Sequence, residues 1–556
     1  MCSAVTTAPP ALAEQLSHAV AQAIRQKDWP VATDGAQRLL ALAPDRGDSQ
    51  LRALQAYLQA GQVDLAVGVA RASRPNWAGM PRLAQLAMLA LGRAGDRSTA
   101  AEAGQLALQG DPQDLKLAAT VADALTQAGR PSEAIRALTA AGVRTSDDPR
   151  GWYELARALQ VGGAKPDQIL PDARRALELD PTNLRVLELV ARLSLDQGQP
   201  QTALTLLEPL DPSRRNPTVA LLLVEAALAV GRLDDGLAQA QALAEGTASS
   251  IPMSRRITAL LSKAGLIDPA RAVYNRNLAH RNRRLPSSFA AGVAEILAQD
   301  RPAAPESPPQ RIDWLWSQLV AAGRAPSSRS EWERELRQVT ALDRLILDWI
   351  ECRPEALADT TAIIDNIAPT AATLAEAQAD GRGVFLAAAH VGLLFGSLAA
   401  LAESGLPMAF VASVPNLGQA AHDAHLVSTS GQDDGIIGRT LYRAIKAGKV
   451  VSVAIEGGAV SGGTRFPLFD RMIPVSTFIP RLAWKTHSPS FFPLVAWIGT
   501  RARVSVTRLP SPERFRTVDA YETAWTRAYL KTLETALLDY PGSARVAGGF
   551  WGSINL

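Results

Sequence analysis

A chain of 556 residues is too long for a single hydrophobic core. Its formal net charge of +3 is too mild to indicate nucleic acid as a partner without an accompanying stripe of aromatic and basic residues. Hydrophobic residues make up 47% but aromatic residues only 5%, so Ala and Leu carry the apolar content and a helix-rich chain is expected.

The opening MCSAVTTAPPALAEQ has no basic segment followed by an apolar one, which argues against a secretion signal. Two cysteines, Cys2 and Cys352, cannot make a disulfide framework, and no apolar stretch reaches the length of a membrane span. The expected location is cytoplasmic, with peripheral contact to the inner membrane.

From about residue 12 a repeat governs the first half. Gly61, Gly95, Gly129, Gly163, Gly198, Gly231 and Gly265 share one local setting, at spacings of 34, 34, 34, 35, 33 and 34 residues, which is the tetratricopeptide period. Five residues after the glycine stands a small residue: Ala66, Ala100, Ala134, Ala203, Gly236 and Ala270. One period earlier, Lys27 takes the glycine place and Ala32 the small one. The glycine closes the first helix of each hairpin with a left-handed cap, and the small residue lets the two helices approach. Pro44, Pro112 and Pro181 end second helices. About eight repeats over residues 1–280 are expected to form an all-α solenoid. Around Gly163 the segment KPDQ and Pro166 predict a distorted hairpin. The array either offers a groove to a protein partner or a glycan, or braces the second half.

Residues 281–310 run from RNRRLPSS to DRPAAPESPPQ and read as a linker. Two helical stretches follow, IDWLWSQLVAAG and SEWERELRQVTALDRLILDWIECRP. Trp314, Trp316 and Trp349 on them suit either a lipid-facing foot or a packed helix interface. Beyond residue 380, strand-length runs GVFLAAA, PMAFVAS, KVVSVAI, FFPLVAW and ARVSVTRL alternate with helical LFGSLAALAES and GRTLYRAIKAG. That alternation predicts α/β layering over residues 311–556, with any reactive loop at the carboxyl end of a strand.

Three blocks of this half carry a family likeness: GVFLAAAHVGLLFGSLAAL, RTLYRAIKAGKVVSVAIEGG and GGTRFPLFDRMIPVSTFIPRLAWKTHSPSFFPLV. In order and spacing they resemble the lysophospholipid and late lipid A acyltransferase superfamily. The resemblance implies O-acyl transfer from a thioester on acyl carrier protein or coenzyme A, with no other cofactor, to a hydroxyl of a saccharide or glycolipid. It assigns His390 as the general base that strips the hydroxyl. The late lipid A enzymes usually start with a membrane helix and carry no repeats, so the resemblance points to a dedicated acceptor such as the terminus of a capsular polysaccharide.

The family places a carboxylate five residues after the histidine, where this chain has Phe395. Three outcomes are open: another acid orients His390, the ring works alone, or the domain is inactive. Glu456, at the end of the VVSVAI strand, is the leading substitute, ahead of Asp433 and Asp434. The stretch EGGAVSGGTR resembles the family's phosphate-binding block, which assigns Arg465 to a phosphate and Gly457 and Gly463 to close backbone approach. Arg481, with Arg471, Lys485, Arg501, Arg503 and Arg508, makes the C-terminal half locally basic, suited to acyl carrier protein or to the inner-membrane surface, or simply solvated. His422, Asp423 and His425 are a weak set for a metal, and none is expected. The rival to an enzyme is a repeat scaffold whose degenerate acyltransferase domain binds lipid or glycan; a third reading keeps the enzyme but shortens the donor to acetyl.

Overall fold

The computed structural model describes residues 10–300, 302, 309–412, 417, 425–429, 434–456, 465–546 and 548–552. The chain divides into two compact units, one up to Gln199 and one from Pro200 to Ile554.

The first unit consists of helical hairpins: α1 (Pro10–Gln26) with α2 (Trp29–Leu42), α3 (Gly47–Gln59) with α4 (Val63–Ala72), α5 (Pro81–Arg93) with α6 (Arg97–Gln109), α7 (Leu115–Gln127) with α8 (Pro131–Ala140) and α9 (Pro149–Val161) with α10 (Pro166–Leu179), then α11 (Leu184–Asp196). The same helix–turn–helix pattern continues in the second unit through α12 (Pro200–Leu207), α13 (Pro217–Ala229), α14 (Leu233–Gly246), α15 (Ile251–Lys263) and α16 (Ile267–Asn282). The repeating glycines all take left-handed φ, from 68° at Gly198 to 84° at Gly231. Beyond each one the chain turns back through a hydrogen bond to the carbonyl five residues earlier, as from Gln62 to Tyr57 (2.9 Å) and from Arg130 to Leu125 (2.8 Å). This is the Schellman closure, for which glycine lacks a steric penalty. Lys27 adopts the same conformation with φ 59°. The small residues are buried, and at Gly236 an added Cβ would lie 2.6 Å from Leu228.

The expected distortion near Gly163 is a one-residue insertion instead. Helix α10 starts three residues after the glycine rather than two, and buried Ile169 takes the small residue's place. Pro166 fills the first helical position, where its missing N–H costs nothing, and the Gln168 side chain accepts from the Lys165 N–H at 3.1 Å. The 35-residue spacing is this extra residue.

The segment read as a linker carries a helix, α17 (Phe289–Ala298), whose Phe289 and Val293 are buried in the core around α19 (Arg329–Cys352). Its apolar face had to be covered, and α19 covers it. Helix α18 (Pro309–Ala321) precedes α19. The tryptophans pack inside: Trp314 donates to Asp470 at 2.8 Å and meets Trp551 edge-on, Trp349 meets Phe289, and Trp316 meets Trp332. The lipid-facing foot therefore gives way to helix packing.

The last hairpin is fastened to α19 by charge. Arg281 reaches Asp348 (2.9 Å) and Glu351 (2.5 Å), and Arg255 reaches the other oxygen of Glu351 (2.7 Å). Burial raises the Glu351 pKa, but the two guanidiniums outweigh it and hold the carboxyl below its usual range. A buried carboxylate survives only with such partners.

A seven-stranded sheet follows, built from β1 (Ile364–Asp365), β2 (Val384–Ala388), β3 (Met408–Ala412), β4 (Leu426–Ser428), β5 (Val450–Ala454), β8 (Ser490–Ile498) and β9 (Arg501–Arg508), in the order β1-β9-β8-β2-β5-β3-β4. All pairings are parallel except the β8–β9 hairpin. A separate hairpin joins β6 (Arg465–Leu468) and β7 (Arg471–Pro474). The connecting helices are α20 (Leu357–Thr361), α21 (Ile367–Ala377), α22 (Leu394–Glu403), α23 (Asp434–Lys446) and α24 (Phe478–Thr486), with α25 (Val518–Asp539) after the last strand. The five strand runs and two helices expected from the sequence are present. No helix among the described residues is long and apolar enough to cross a membrane.

Candidate active site

Strands β2 and β5 are parallel neighbours with Ala388 opposite Ala454. His390 and Glu456 each stand two residues past those ends, so the register brings them together at the sheet's carboxyl edge. His390 Nδ1 lies 3.0 Å from Glu456 Oε1, and the same oxygen accepts the His390 backbone N–H. The carboxylate is wholly buried and the ring about one quarter exposed. With Nδ1 engaged by a carboxylate, Nε2 is left as the proton acceptor.

Three supports hold the histidine. Tyr529 on α25 donates to the Ala388 carbonyl at 3.1 Å, fixing the strand end; burial, with Glu456 nearby, pushes its hydroxyl pKa well up. The turn after His390 is pinned by the Leu393 N–H on the Val495 carbonyl (2.8 Å) and the Gly392 N–H on the Ser543 carbonyl (2.6 Å). Gly392 has φ 71°, and a Cβ there would sit 2.4 Å from the Val495 oxygen. From the C-terminal side, Gly548 and Gly549 cross the pair so closely that a Cβ on Gly549 would lie 2.4 Å from His390 Nδ1 and 2.8 Å from Glu456 Oε1.

Phe395 does not seal the ring off. Its backbone N–H, at the start of α22, donates to Asp343 Oδ1 (2.8 Å), and Arg545 binds Asp343 Oδ2 (2.7 Å) while its guanidinium lies 5.3 Å from the Phe395 ring. Burial raises the Asp343 pKa; Arg545 and the N–H groups of Phe395 and Gly396 oppose it. Arg545 (φ 62°) and Val546 (φ 49°) are non-glycine residues in the left-handed region, a cost that clusters where a segment is held for function.

His390 and Glu456 open into a cavity of about 690 Å³, within the range of sites for drug-sized ligands. One side is the sheet face where Ala388, Ala412, Ser452 and Ala454 are small enough to leave room, and another is the apolar side of α22, with Leu394, Leu398 and Leu401. Helix α19 supplies Leu347, Ile350 and Glu351, while Arg545 and Arg255 bring two guanidiniums to the wall.

The two expected arginines are not gathered here. Arg465 is exposed on β6 and donates across the hairpin to the Met472 carbonyl (3.1 Å). Arg481 pairs with Glu522 (2.6 Å), and Arg501 with Asp365 (2.8 Å), so part of the expected basic patch is neutralised locally. Gly457, Gly463, His422, Asp423 and Asp433 lie outside the described residues, and Asp434 opens α23. Among the described residues no cluster of His, Cys, Asp or Glu is suited to a metal.

Sequence reasoning missed Asp343, Arg545, Gly549 and Arg255. A carboxylate inside the apolar stripe TALDRLILDWI and a glycine doublet before Phe550 and Trp551 were the available signals. Nothing local marks Arg255, which reaches the cavity from 135 residues before His390.

No family model matches this chain. It is 27% identical over 436 residues to the Vi polysaccharide export protein VexE of Salmonella typhi, covering 78% of this chain and 66% of that protein, so the chain spans just under two thirds of this relative's length. Similar solved structures include a tetratricopeptide repeat protein of Parabacteroides merdae (11% identity, TM-score 0.35, 45% of this chain and 98% of that one). Another is the Pseudomonas aeruginosa protein PilF (17% identity, TM-score 0.31, 37% and 93%). The assignment of tetratricopeptide-type repeats rests on the hairpins' own period and caps.

Proposed function

We propose that this chain is an O-acyltransferase that moves a fatty acyl group from a thioester, on acyl carrier protein or coenzyme A, to a hydroxyl of a saccharide or glycolipid. The observation that carries the reading is the buried Glu456 carboxylate on His390 Nδ1, with the ring opening into a largely apolar cavity. Glu456 is the acid that a non-catalytic reading of Phe395 assumed to be missing. In the reaction, Nε2 takes the acceptor hydroxyl's proton as its oxygen attacks the thioester carbonyl. The tetrahedral intermediate expels the thiolate, which recovers the proton from the imidazolium, so a carbon–sulfur bond is exchanged for a carbon–oxygen bond. Glu456 holds the tautomer and stabilises the imidazolium.

Likeness to a protein of Vi polysaccharide export supports a capsular saccharide as acceptor. The remaining exposed cations suit the acidic acyl carrier protein. The test is incubation with acyl carrier protein thioesters and candidate glycans, comparing the parent with His390→Ala. A loss of transfer of at least about a hundredfold is expected for general-base removal; equal transfer by both proteins overturns the reading.

A further inference from the structure

The cavity has two ends, and α19 sets the distance between them. Asp343, Leu347, Ile350 and Glu351 follow the i, i+4, i+7, i+8 pattern of one helix face. At one end Asp343 holds Arg545 beside His390; at the other Glu351 holds Arg255. Eight residues at 1.5 Å each put these ends about 12 Å apart along the axis. Between them α19 adds Leu347 and Ile350 to the lining, which also includes Leu394, Leu398 and Leu401 of α22. The far end is the reverse of apolar. Both oxygens of Glu351 are occupied, one by Arg255 and one by Arg281, and Glu351 is 4% exposed. A hydrocarbon tip advancing past Ile350 meets an ion pair that it can neither solvate nor displace without leaving a buried charge unpaired.

We propose that the Arg255–Glu351 pair is the stop that sets acyl chain length, so that the last helical repeat, which supplies Arg255, measures the donor. This rests on the acyl-transfer reading and adds to it a specificity-determining residue outside the α/β layers. The repeats then contribute to substrate choice as well as support.

The test measures binding of straight-chain acyl-coenzyme A thioesters, lengthened two carbons at a time, to His390→Ala protein, so that no turnover intervenes. Affinity is expected to rise about fourfold per methylene, the equivalent of roughly 0.8 kcal/mol, up to one length and then to stop rising. Arg255→Ala in the same background moves that break to longer chains and leaves shorter ones unchanged. Leu347→Phe, one turn nearer His390, moves it to shorter chains and serves alone if the arginine variant does not fold. A parent series without a break, or a break that neither substitution moves, overturns the stop while leaving acyl transfer standing. Failure of every thioester to bind sinks both.

Discussion

His390 and Glu456 are 66 residues apart in the chain and 3.0 Å apart at the ring. The two are joined because β2 and β5 run parallel in register and end together. Glu456→Gln keeps the shape of the acid but loses the charge that stabilises an imidazolium. Transfer is expected to fall about a hundredfold or more with little change in melting temperature, measured as kcat and by thermal unfolding. A kcat equal to the parent's would remove Glu456 from the mechanism.

Gly549 is where a single methyl group should separate the pair. Its added Cβ would lie 2.4 Å from His390 Nδ1, whereas at Gly61 nothing lies within 4 Å of one. Gly549→Ala should therefore lower kcat as far as Glu456→Gln does. Gly61→Ala should cost only stability, about 1 kcal/mol for the left-handed backbone, with kcat unchanged. Steady-state kinetics and denaturant titration of both variants separate the two effects.

The first unit should be pH-sensitive through Glu154. Burial, and then Asp123, push its pKa from the usual 4.5 to about 7, against the pull of Arg157 and Arg150. The folded unit thus binds more protons than the unfolded chain across that window. The Glu154 contribution to stability is fully present below about pH 4.5 and is lost as pH rises through 7. Urea unfolding of the parent should show this fall, and Glu154→Gln should flatten it; identical profiles would contradict the assignment.

Lys27 sits where the other repeats place glycine, at φ 59°. Replacing it with glycine removes the Cβ penalty of that conformation and should stabilise the first unit by about 1 kcal/mol. Thermal unfolding of Lys27→Gly checks it, and an unchanged or lower midpoint counts against the repeat register at its first member.

The solenoid was legible because one backbone requirement recurs. A left-handed closure demands glycine every thirty-four or so residues, and the substitution at Lys27 is visible only because its neighbours keep time. The strands around His390 were legible because buried parallel strands read as continuous apolar runs. The short β1, β4, β6 and β7 carry too few residues for a pattern. Glu456 was found from its place at a strand end, but Asp343, Arg545 and Gly549 act through contacts between remote segments. Arg465 and Arg481 show the converse: a family resemblance for the first and a local excess of cations for the second suggested ligands, while the fold gives one a carbonyl and the other a carboxylate on α25.

Glu351 takes both of its counter-charges from helices of the repeat half. Anyone dissecting this protein, or grafting its α/β layers onto another repeat array, who cuts at the proline-rich stretch would strand a buried anion and breach one wall of the cavity. Chimeras of this kind keep that wall whole only where the hairpin of α15 and α16 travels with the chemistry.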